Sequence, residues 1–148
     1  MTFVFNLLWF VFGGFLTGLA WIICGLFCCL TIVLIPFGIA CFRISSFAFF
    51  PYGKDLVRAE MLGEKRIFGT GLLNFIWVIF FGFWLALAEA IYGIILCITI
   101  IGIPWGIACF NISKASFAPL GKRVVSKEMA KIARERWNRE QLEKQFSK

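Results

Sequence analysis

The chain has 148 residues, of which 61% are hydrophobic and 16% are charged, and its formal net charge is +7. Its mean hydropathy is +0.89, whereas a soluble domain contains roughly 45–50% apolar and about 25% charged residues. The composition therefore predicts an integral membrane protein and leaves too few polar residues for a separate soluble domain of any size.

Two long apolar blocks form the predicted membrane part. Residues 3–51 contain one charged side chain, Arg43, and residues 69–112 contain one, Glu89. Because a helix of about 20 residues crosses a bilayer, each block is long enough for two crossings. The predicted helices cover residues 3–23, 28–50, 72–91 and 96–118, with turns at Cys24-Gly25 and Tyr92-Gly93.

The second half of the chain repeats the first at a constant offset of 68 positions. Over residues 6–61, 28 of 56 positions are identical to their partners, including Gly, Pro, Asn and Trp residues. The longest match joins Ile-Pro-Phe-Gly-Ile-Ala-Cys-Phe at residues 35–42 to Ile-Pro-Trp-Gly-Ile-Ala-Cys-Phe at residues 103–110. The pattern indicates a duplicated structural unit.

Basic residues predict which side of the membrane the chain ends occupy. Lys54, Arg58, Lys65 and Arg66 lie between the repeats, and nine Lys or Arg residues follow from Lys122 onward. By the positive-inside rule both segments are cytoplasmic, so each repeat crosses an even number of times. Hairpins that re-enter the membrane without crossing it predict the same ends, so both forms stay open.

The expected fold is an all-α integral membrane protein of two tandem parallel repeats, each a transmembrane or re-entrant helical hairpin. The expected divisions are repeat 1 at residues 1–61, a cytoplasmic linker at 62–71, repeat 2 at 72–121 and a basic tail at 122–148. This arrangement has four membrane helices, the two repeats share one orientation, and both termini are in the cytoplasm of a multi-pass protein.

The duplicated proline motif is the sharpest local signal. Pro36 and Gly38 recur as Pro104 and Gly106. A proline inside a helix frees a backbone carbonyl and kinks the chain, and broken helices at matching places in two repeats are typical of a transport pathway. Small residues also allow close helix packing in membranes, which is the alternative interpretation.

Glu89 is the one acidic residue of the second apolar block, and Trp21 occupies the equivalent position in the first. A carboxylate inside a membrane usually faces protein or water, so Glu89 is a candidate ion or proton ligand. Because the predicted turn follows three residues later, a position near the outer headgroups is the alternative.

Asn6 and Asn74 recur near the start of the first helix of each repeat, beside Trp9 and Trp77. We expect the amides to make hydrogen bonds between helices. The indoles are expected to anchor the chain at the membrane interface.

The tail has nine basic and four acidic residues, with apolar residues near helical spacing. It predicts an amphipathic helix on the inner leaflet or against a partner. Arg43 and Lys114 are expected to extend from helix ends to the headgroups. The predicted headgroup contacts are Arg43, Lys114, Lys122, Arg123, Lys127, Lys131 and Trp137.

The chain has six cysteines and no histidine. Cys24, Cys28 and Cys29 have helical spacing that could hold a metal, yet no Cys-x-x-Cys motif occurs, and free cysteines usually serve as small buried apolar groups. We therefore predict no metal and no cofactor. No catalytic set of residues is present, so we expect no enzyme, and the basic segments lack a nucleic-acid motif.

The duplicated pattern resembles the YccF family of bacterial inner-membrane proteins. The resemblance rests on Asn74 and Trp77, then on residues 101–110, and closes on residues 119–126. It covers nearly the whole chain and implies a location in the bacterial inner membrane and a fold of tandem domains. It implies no activity and supplies no binding residues.

Two functions follow from these features. A homo-oligomeric channel-like or transport-related protein for ions or small solutes would use the paired proline motifs. A non-transporting scaffold or regulatory subunit would act through the basic tail, by binding anionic lipid or another membrane protein. An enzyme acting on lipids would need a repeated acidic or nucleophilic group, and the repeats share none.

Overall fold

A computed structural model describes residues 1–65 and 68–147 of the chain. Arg66, one of the predicted cytoplasmic basic residues, lies outside the described residues, as does Lys148. The helices are α1 (Thr2–Cys29), α2 (Ile35–Phe49), α3 (Thr70–Ile98), α4 (Ile103–Ser116) and α5 (Lys127–Phe146), and the strands are β1 (Lys54–Arg58) and β2 (Lys122–Ser126).

Each repeat forms a helical hairpin, in which α1 packs along α2 and α3 packs along α4. Within the described residues, three helical stretches are long and apolar enough to cross a membrane: Thr2–Cys29, Ile32–Phe49 and Thr70–Ile98. The remaining helix of the two hairpins, α4, has 14 residues, which is shorter than the span that a bilayer requires.

The hairpin turns lie further along the chain than predicted. The backbone leaves the helix at Thr31 and Thr99, where the conformation is extended, and single 3-10 turns then lead into α2 and α4. The prediction of turns at Cys24-Gly25 and Tyr92-Gly93 is wrong, because Gly25 and Gly93 lie inside helices. Glycine there serves helix packing and does not break the helix.

Glycines bring the two helices of each hairpin into backbone contact. A Cβ atom added to Gly38 would lie 2.9 Å from the Gly25 carbonyl oxygen, and one added to Gly106 would lie 2.8 Å from the Gly93 carbonyl oxygen. Small residues allow this close approach, and the resulting van der Waals contact between the backbones holds the helices together in lipid. The packing interpretation of Gly38 and Gly106 fits this contact.

A π-helical turn in the long helix of each repeat positions a buried tryptophan. The turns span Phe10–Gly14 and Val78–Gly82. Trp9 Nε1 donates to the Ala48 carbonyl at 2.7 Å, and Trp77 Nε1 donates to the Ser116 carbonyl at 2.8 Å. Both indoles are at most 2% exposed, so the prediction that they anchor the membrane interface is wrong: they bond carbonyls near the ends of α2 and α4.

The two repeats meet in a two-stranded antiparallel ribbon. Leu56 pairs with Val124 at its centre, and these two residues are equivalent in the repeats. The ribbon is extended by hydrogen bonds from Ala59 N to Gly121 O at 2.8 Å and from Lys127 N to Gly53 O at 3.1 Å. The tail therefore begins as a strand, and its helix starts at residue 127 instead of residue 122.

The hairpins cross so that non-equivalent levels of the two repeats meet. Tyr92 Oη donates to the Phe12 carbonyl at 2.5 Å; Phe12 lies six residues before Gly18, and Tyr92 lies six residues after the equivalent Ala86. Likewise, Phe37 near the start of α2 stacks on Trp77 near the start of α3, at 5.1 Å between ring centroids.

If the hairpins stood upright side by side, equivalent positions of the two repeats would lie at the same height and in contact. The Tyr92–Phe12 and Phe37–Trp77 contacts join positions that are not equivalent. Leu56 and Val124 are equivalent and pair at the centre of the ribbon, and Gly18 and Ala86 are the equivalent midpoints between the levels that the Tyr92–Phe12 contact joins. A two-fold axis relating the repeats would pass through this pair and near these midpoints. It would therefore run across the long helices and not along them.

Replacing Gly38 by Val should destabilise the protein, because the added atoms would collide with backbone and with the Cys29 thiol. Overpacking of this kind costs about 1–3 kcal/mol. We expect a lower Tm in detergent for Gly38→Val and for its equivalent Gly106→Val. The control Ile39→Val, at a position that is 45% exposed, should leave Tm nearly unchanged. A wild-type Tm for both glycine variants would contradict the close crossing.

Thiol cross-linking should distinguish crossed from upright hairpins. In a cysteine-free background, Phe12→Cys with Tyr92→Cys should react efficiently with a short bifunctional thiol reagent, because the native Tyr92 side chain reaches the backbone carbonyl of Phe12. Phe12→Cys with Phe80→Cys, which pairs equivalent positions, should react poorly. Peptide mass mapping reads both outcomes, and the reverse preference would contradict the crossed arrangement.

Candidate functional site: a basic groove beside the ribbon

The charged elements of the chain collect around the ribbon. Helix α5 packs against β1, where Arg134 Nη1 lies 2.9 Å from Asp55 Oδ2 and Arg134 Nη2 donates to the Leu56 carbonyl at 3.3 Å. Ala130 and Ala133 are the buried residues of α5. Most of its other side chains are exposed, so the helix offers a charged outer surface.

A groove of about 430 Å³ opens between the ribbon, α4 and α5. Its apolar lining includes Phe47 and Ala115, near the ends of α2 and α4. Its polar wall comes from both strands and from α4 and α5, and consists of Asp55, Arg58, Asn111, Lys114, Lys122 and Arg134.

The ribbon register places two cations opposite each other at this groove. Arg58 is the cross-strand partner of Lys122, and like charges directly opposite in a ribbon are destabilising. The equivalent pair at the other end of the ribbon is Lys54 with Ser126, which carries one charge. The repeats therefore share a backbone geometry, but a doubled positive charge occurs at one end.

Lys122 is held in place by the end of α4. Its Nζ atom donates to the Lys114 carbonyl at 2.9 Å. Burial lowers the pKa of Lys122, and the nearby Arg58 charge lowers it further. In the equivalent place, Lys54 Nζ donates to the Ser46 carbonyl at 3.0 Å, and burial lowers its pKa.

Cations outnumber acids in the groove wall. Asp55 already pairs with Arg134, which leaves Arg58, Lys114 and Lys122 without a carboxylate partner among the groove-lining residues. An anion with several oxygen atoms would relieve the repulsion between Arg58 and Lys122, and Arg and Lys are the usual partners of such anions. The groove is therefore suited to a phosphate-bearing group.

The predicted headgroup residues do not form one surface. Lys114 and Lys122 line the groove, whereas Arg123 on the same ribbon pairs with Glu64 at 2.5 Å. The others are placed as follows: Arg43 is exposed on α2, Lys127 and Lys131 are exposed on α5, and Trp137 is half-buried on α5.

Sequence reasoning missed Arg58, Asp55 and Arg134 as groove residues. Arg58 was expected only as one of the cytoplasmic basic residues between the apolar blocks, and it meets Lys122 because β1 pairs with a strand that lies 68 positions along the chain. The signal that could have found them is the short repeated segment after each hairpin, at residues 54–58 and 122–126. The predicted tail helix began at residue 122 and therefore covered the second of these segments.

Pro36 and Pro104 stand in the first turn of α2 and α4. The backbone N–H groups of the first turn have no partner within a helix. A proline there, which lacks an N–H group, therefore breaks no helical hydrogen bond. The prediction that these prolines kink or break helices is wrong. Each proline starts a helix just after the hairpin turn.

Glu89 is buried in α3, with 6% of its surface exposed, and its Oε2 atom has no hydrogen-bond partner among the described residues. The Nε1 atom of the equivalent Trp21 is also buried, and it too has no partner in the described part of the chain. Because the turn lies at Thr99, Glu89 is well inside the helix and not beside the hairpin tip.

Asn6 and Asn74 close the base of each hairpin. The Asn6 amide bonds both the carbonyl and the N–H group of Tyr52 at 3.0 Å. Asn74 makes the same pair of bonds with Leu120 at 3.2 Å. These asparagines bridge a helix to the turn that follows the partner helix, just before each strand.

Comparison with known proteins places the chain in a family. The profile of the inner membrane component domain, YccF, matches twice, at residues 4–54 and 72–122. The chain is 42% identical over 137 residues to inner membrane protein YccF of Escherichia coli K12 and to that of Shigella flexneri, covering 89% of this chain and 93% of each relative.

No solved structure significantly matches the chain. The two domain matches coincide with the two hairpins and end at the start of each strand. By these matches, the chain belongs to the YccF family of inner membrane proteins.

Proposed function

We propose that the protein is a non-catalytic membrane component that binds an anionic lipid headgroup in the groove beside its ribbon. The observation that carries this proposal is the cross-strand pair of Arg58 and Lys122, next to the end of α4. A headgroup phosphate in the groove would offset their repulsion while its acyl chains lie against the apolar helices. Binding would keep the ribbon and α5 at the cytoplasmic surface.

The same geometry supports hairpins that enter the membrane from the cytoplasmic side without crossing it. A two-fold axis relating the repeats would pass through the charged ribbon and near the middle of the long helices. Helices standing upright would place this ribbon near the bilayer centre, where charged groups are costly. Hairpins lying steeply tilted in the inner leaflet keep the ribbon in water and leave both termini in the cytoplasm.

A homo-oligomeric channel is the second candidate. The observation in its favour is the wide belt of exposed apolar side chains, among them Phe80 at 66% and Trp84 at 64%, which a ring of copies would cover in part. A pathway built on a pair of broken helices has no support from the prolines, which stand in the first turns of α2 and α4. Lipid contact alone accounts for such a belt in a membrane protein.

Lipid binding should depend on Arg58 and Lys122. Native mass spectrometry of the detergent-purified protein should detect phosphatidylglycerol in preference to phosphatidylethanolamine. Arg58→Ala or Lys122→Ala should weaken this binding by about tenfold, since a hydrogen bond to a charged group contributes about 1.5–3 kcal/mol. Because its pKa is lowered, Lys122 loses its proton earlier than an ordinary lysine as pH rises, and the affinity should fall with it.

The matched control is Lys54→Ala, which removes the equivalent lysine and its hydrogen bond to a carbonyl. Lys54 lies at the other end of the ribbon from the Arg58–Lys122 pair. Its lipid binding should remain near that of the wild type. Equal losses in Lys54→Ala and Lys122→Ala would indicate general surface charge and reject the groove. Ion flux through reconstituted liposomes, together with an oligomeric mass, would favour the channel instead.

Membrane depth can be read from the hairpin tip. In a cysteine-free background, Val33→Cys, at a position that is 75% exposed, should resist an impermeant maleimide added outside intact spheroplasts. Gln145→Cys, on α5, should be labelled only after the membrane is opened. External labelling of Val33→Cys would show that the first hairpin crosses fully.

A further inference from the structure

Three thiols of the first repeat meet inside its hairpin. Cys24 and Cys28 stand one turn apart on α1, and Cys41 lies opposite them on α2. Their Sγ atoms are all within 4.8 Å of one another. Cys28 is 1% exposed and Cys41 is not exposed, whereas Cys24 is partly exposed and leaves an approach to the cluster.

The cluster follows from the glycine crossing of the two helices. A Cβ atom added to Gly25 would lie 3.2 Å from the Cys41 Cβ atom, so α2 holds Cys41 directly against the turn that carries Cys24 and Cys28. The crossing thus fixes the three side chains on the facing surfaces of two packed helices.

The second repeat has the same crossing without the cluster. Gly93 faces Cys109 at 3.0 Å, measured from an added Cβ atom, yet the positions equivalent to Cys24 and Cys28 are Tyr92 and Leu96. The chain therefore contains an internal control. The first hairpin carries three thiols at these positions, and the second hairpin carries one thiol at the equivalent positions.

The surroundings limit which ion the thiols can hold. The two helices carry a single charged residue, Arg43, which is exposed. A buried complex with net charge is costly when no partner neutralises it. Three thiolates around Cu(I) would carry two negative charges, and three around Zn(II) would carry one. Three thiolates around a trivalent centre give a neutral complex.

We propose that Cys24, Cys28 and Cys41 form a binding site for a trivalent thiophilic metalloid, for which arsenite is the probe. Neutral arsenous acid, As(OH)3, reacts with the three thiols to give one As(SR)3 group and three molecules of water. Three As–O bonds and three S–H bonds break, and three As–S bonds and three O–H bonds form. The arsenic stays trivalent, so no oxidant or reductant takes part.

The proposal does not depend on lipid binding, because the thiols lie within the first hairpin and the groove lies beside the ribbon. Its chemistry needs soft sulfur ligands, which the site supplies without any His or carboxylate ligand. The partly exposed Cys24 would react first, and the buried pair would then displace the remaining hydroxyl groups.

The test uses the full-length protein, reduced and kept in detergent, and titrated with sodium arsenite. Native mass spectrometry should show one arsenic atom gained and three hydrogen atoms lost. Maleimide labelling under denaturing conditions should find three of the six cysteines protected. The wild-type protein should also gain Tm with arsenite, since a ligand that binds the folded state stabilises it.

Cys41→Ala and, on the other helix, Cys28→Ala should each lower arsenite affinity by about tenfold or more, the scale on which even outer partners of metal sites act. Cys109→Ala, at the position equivalent to Cys41, should bind like the wild type. The Tm of each variant without arsenite shows whether it is folded. Absence of arsenite from the wild type, unchanged affinity in folded Cys41→Ala, or binding of Cu(I) without arsenite would overturn the proposal.

Discussion

The backbone contact between the two helices of each hairpin is the constraint on which the rest of the structure depends. Lipid offers helices no hydrophobic reason to associate, so contact area and hydrogen bonds must hold them together. Gly25 against Gly38, and Gly93 against Gly106, provide that area. The Trp9 and Trp77 indoles then bond carbonyls near the helix ends, and Asn6 and Asn74 fix the turns from which the strands begin.

From these fixed turns, the chain leaves each hairpin at a position where the two strands can pair. The ribbon joins repeats that share few other backbone bonds, and its register decides which charges face each other. A symmetric backbone carries an asymmetric set of side chains, so the groove has a doubled positive charge where Arg58 meets Lys122. The equivalent place, with Lys54 and Ser126, has one charge. Duplication supplies the scaffold, and later substitutions supply the difference.

Other equivalent positions have diverged in the same way. Trp21 and Glu89 are both buried, each with a polar atom that has no partner within residues 1–65 and 68–147, and Cys24 corresponds to Tyr92, whose hydroxyl reaches the opposite repeat. The thiol cluster and the cross-repeat hydrogen bond therefore occupy equivalent places. A hairpin that tolerates such exchanges is stabilised mainly by its glycine, tryptophan and asparagine contacts, which both repeats retain.

The sequence by itself determined the membrane class, the duplication, the family and the helical nature of the apolar blocks, because hydropathy and a repeat in register follow from the order of the residues alone. The turns were predicted in the wrong place, because a glycine in a sequence can either end a helix or allow close contact with another helix. Pro36 was also misread as a kink and Trp9 as an interface anchor, because both roles depend on what lies across the hairpin. Only the tertiary structure decided the crossing of the hairpins, the pairing of Arg58 with Lys122 and the meeting of Cys41 with Cys24 and Cys28. Each joins residues on different elements, and that proximity is set by packing and strand register, which no local pattern encodes.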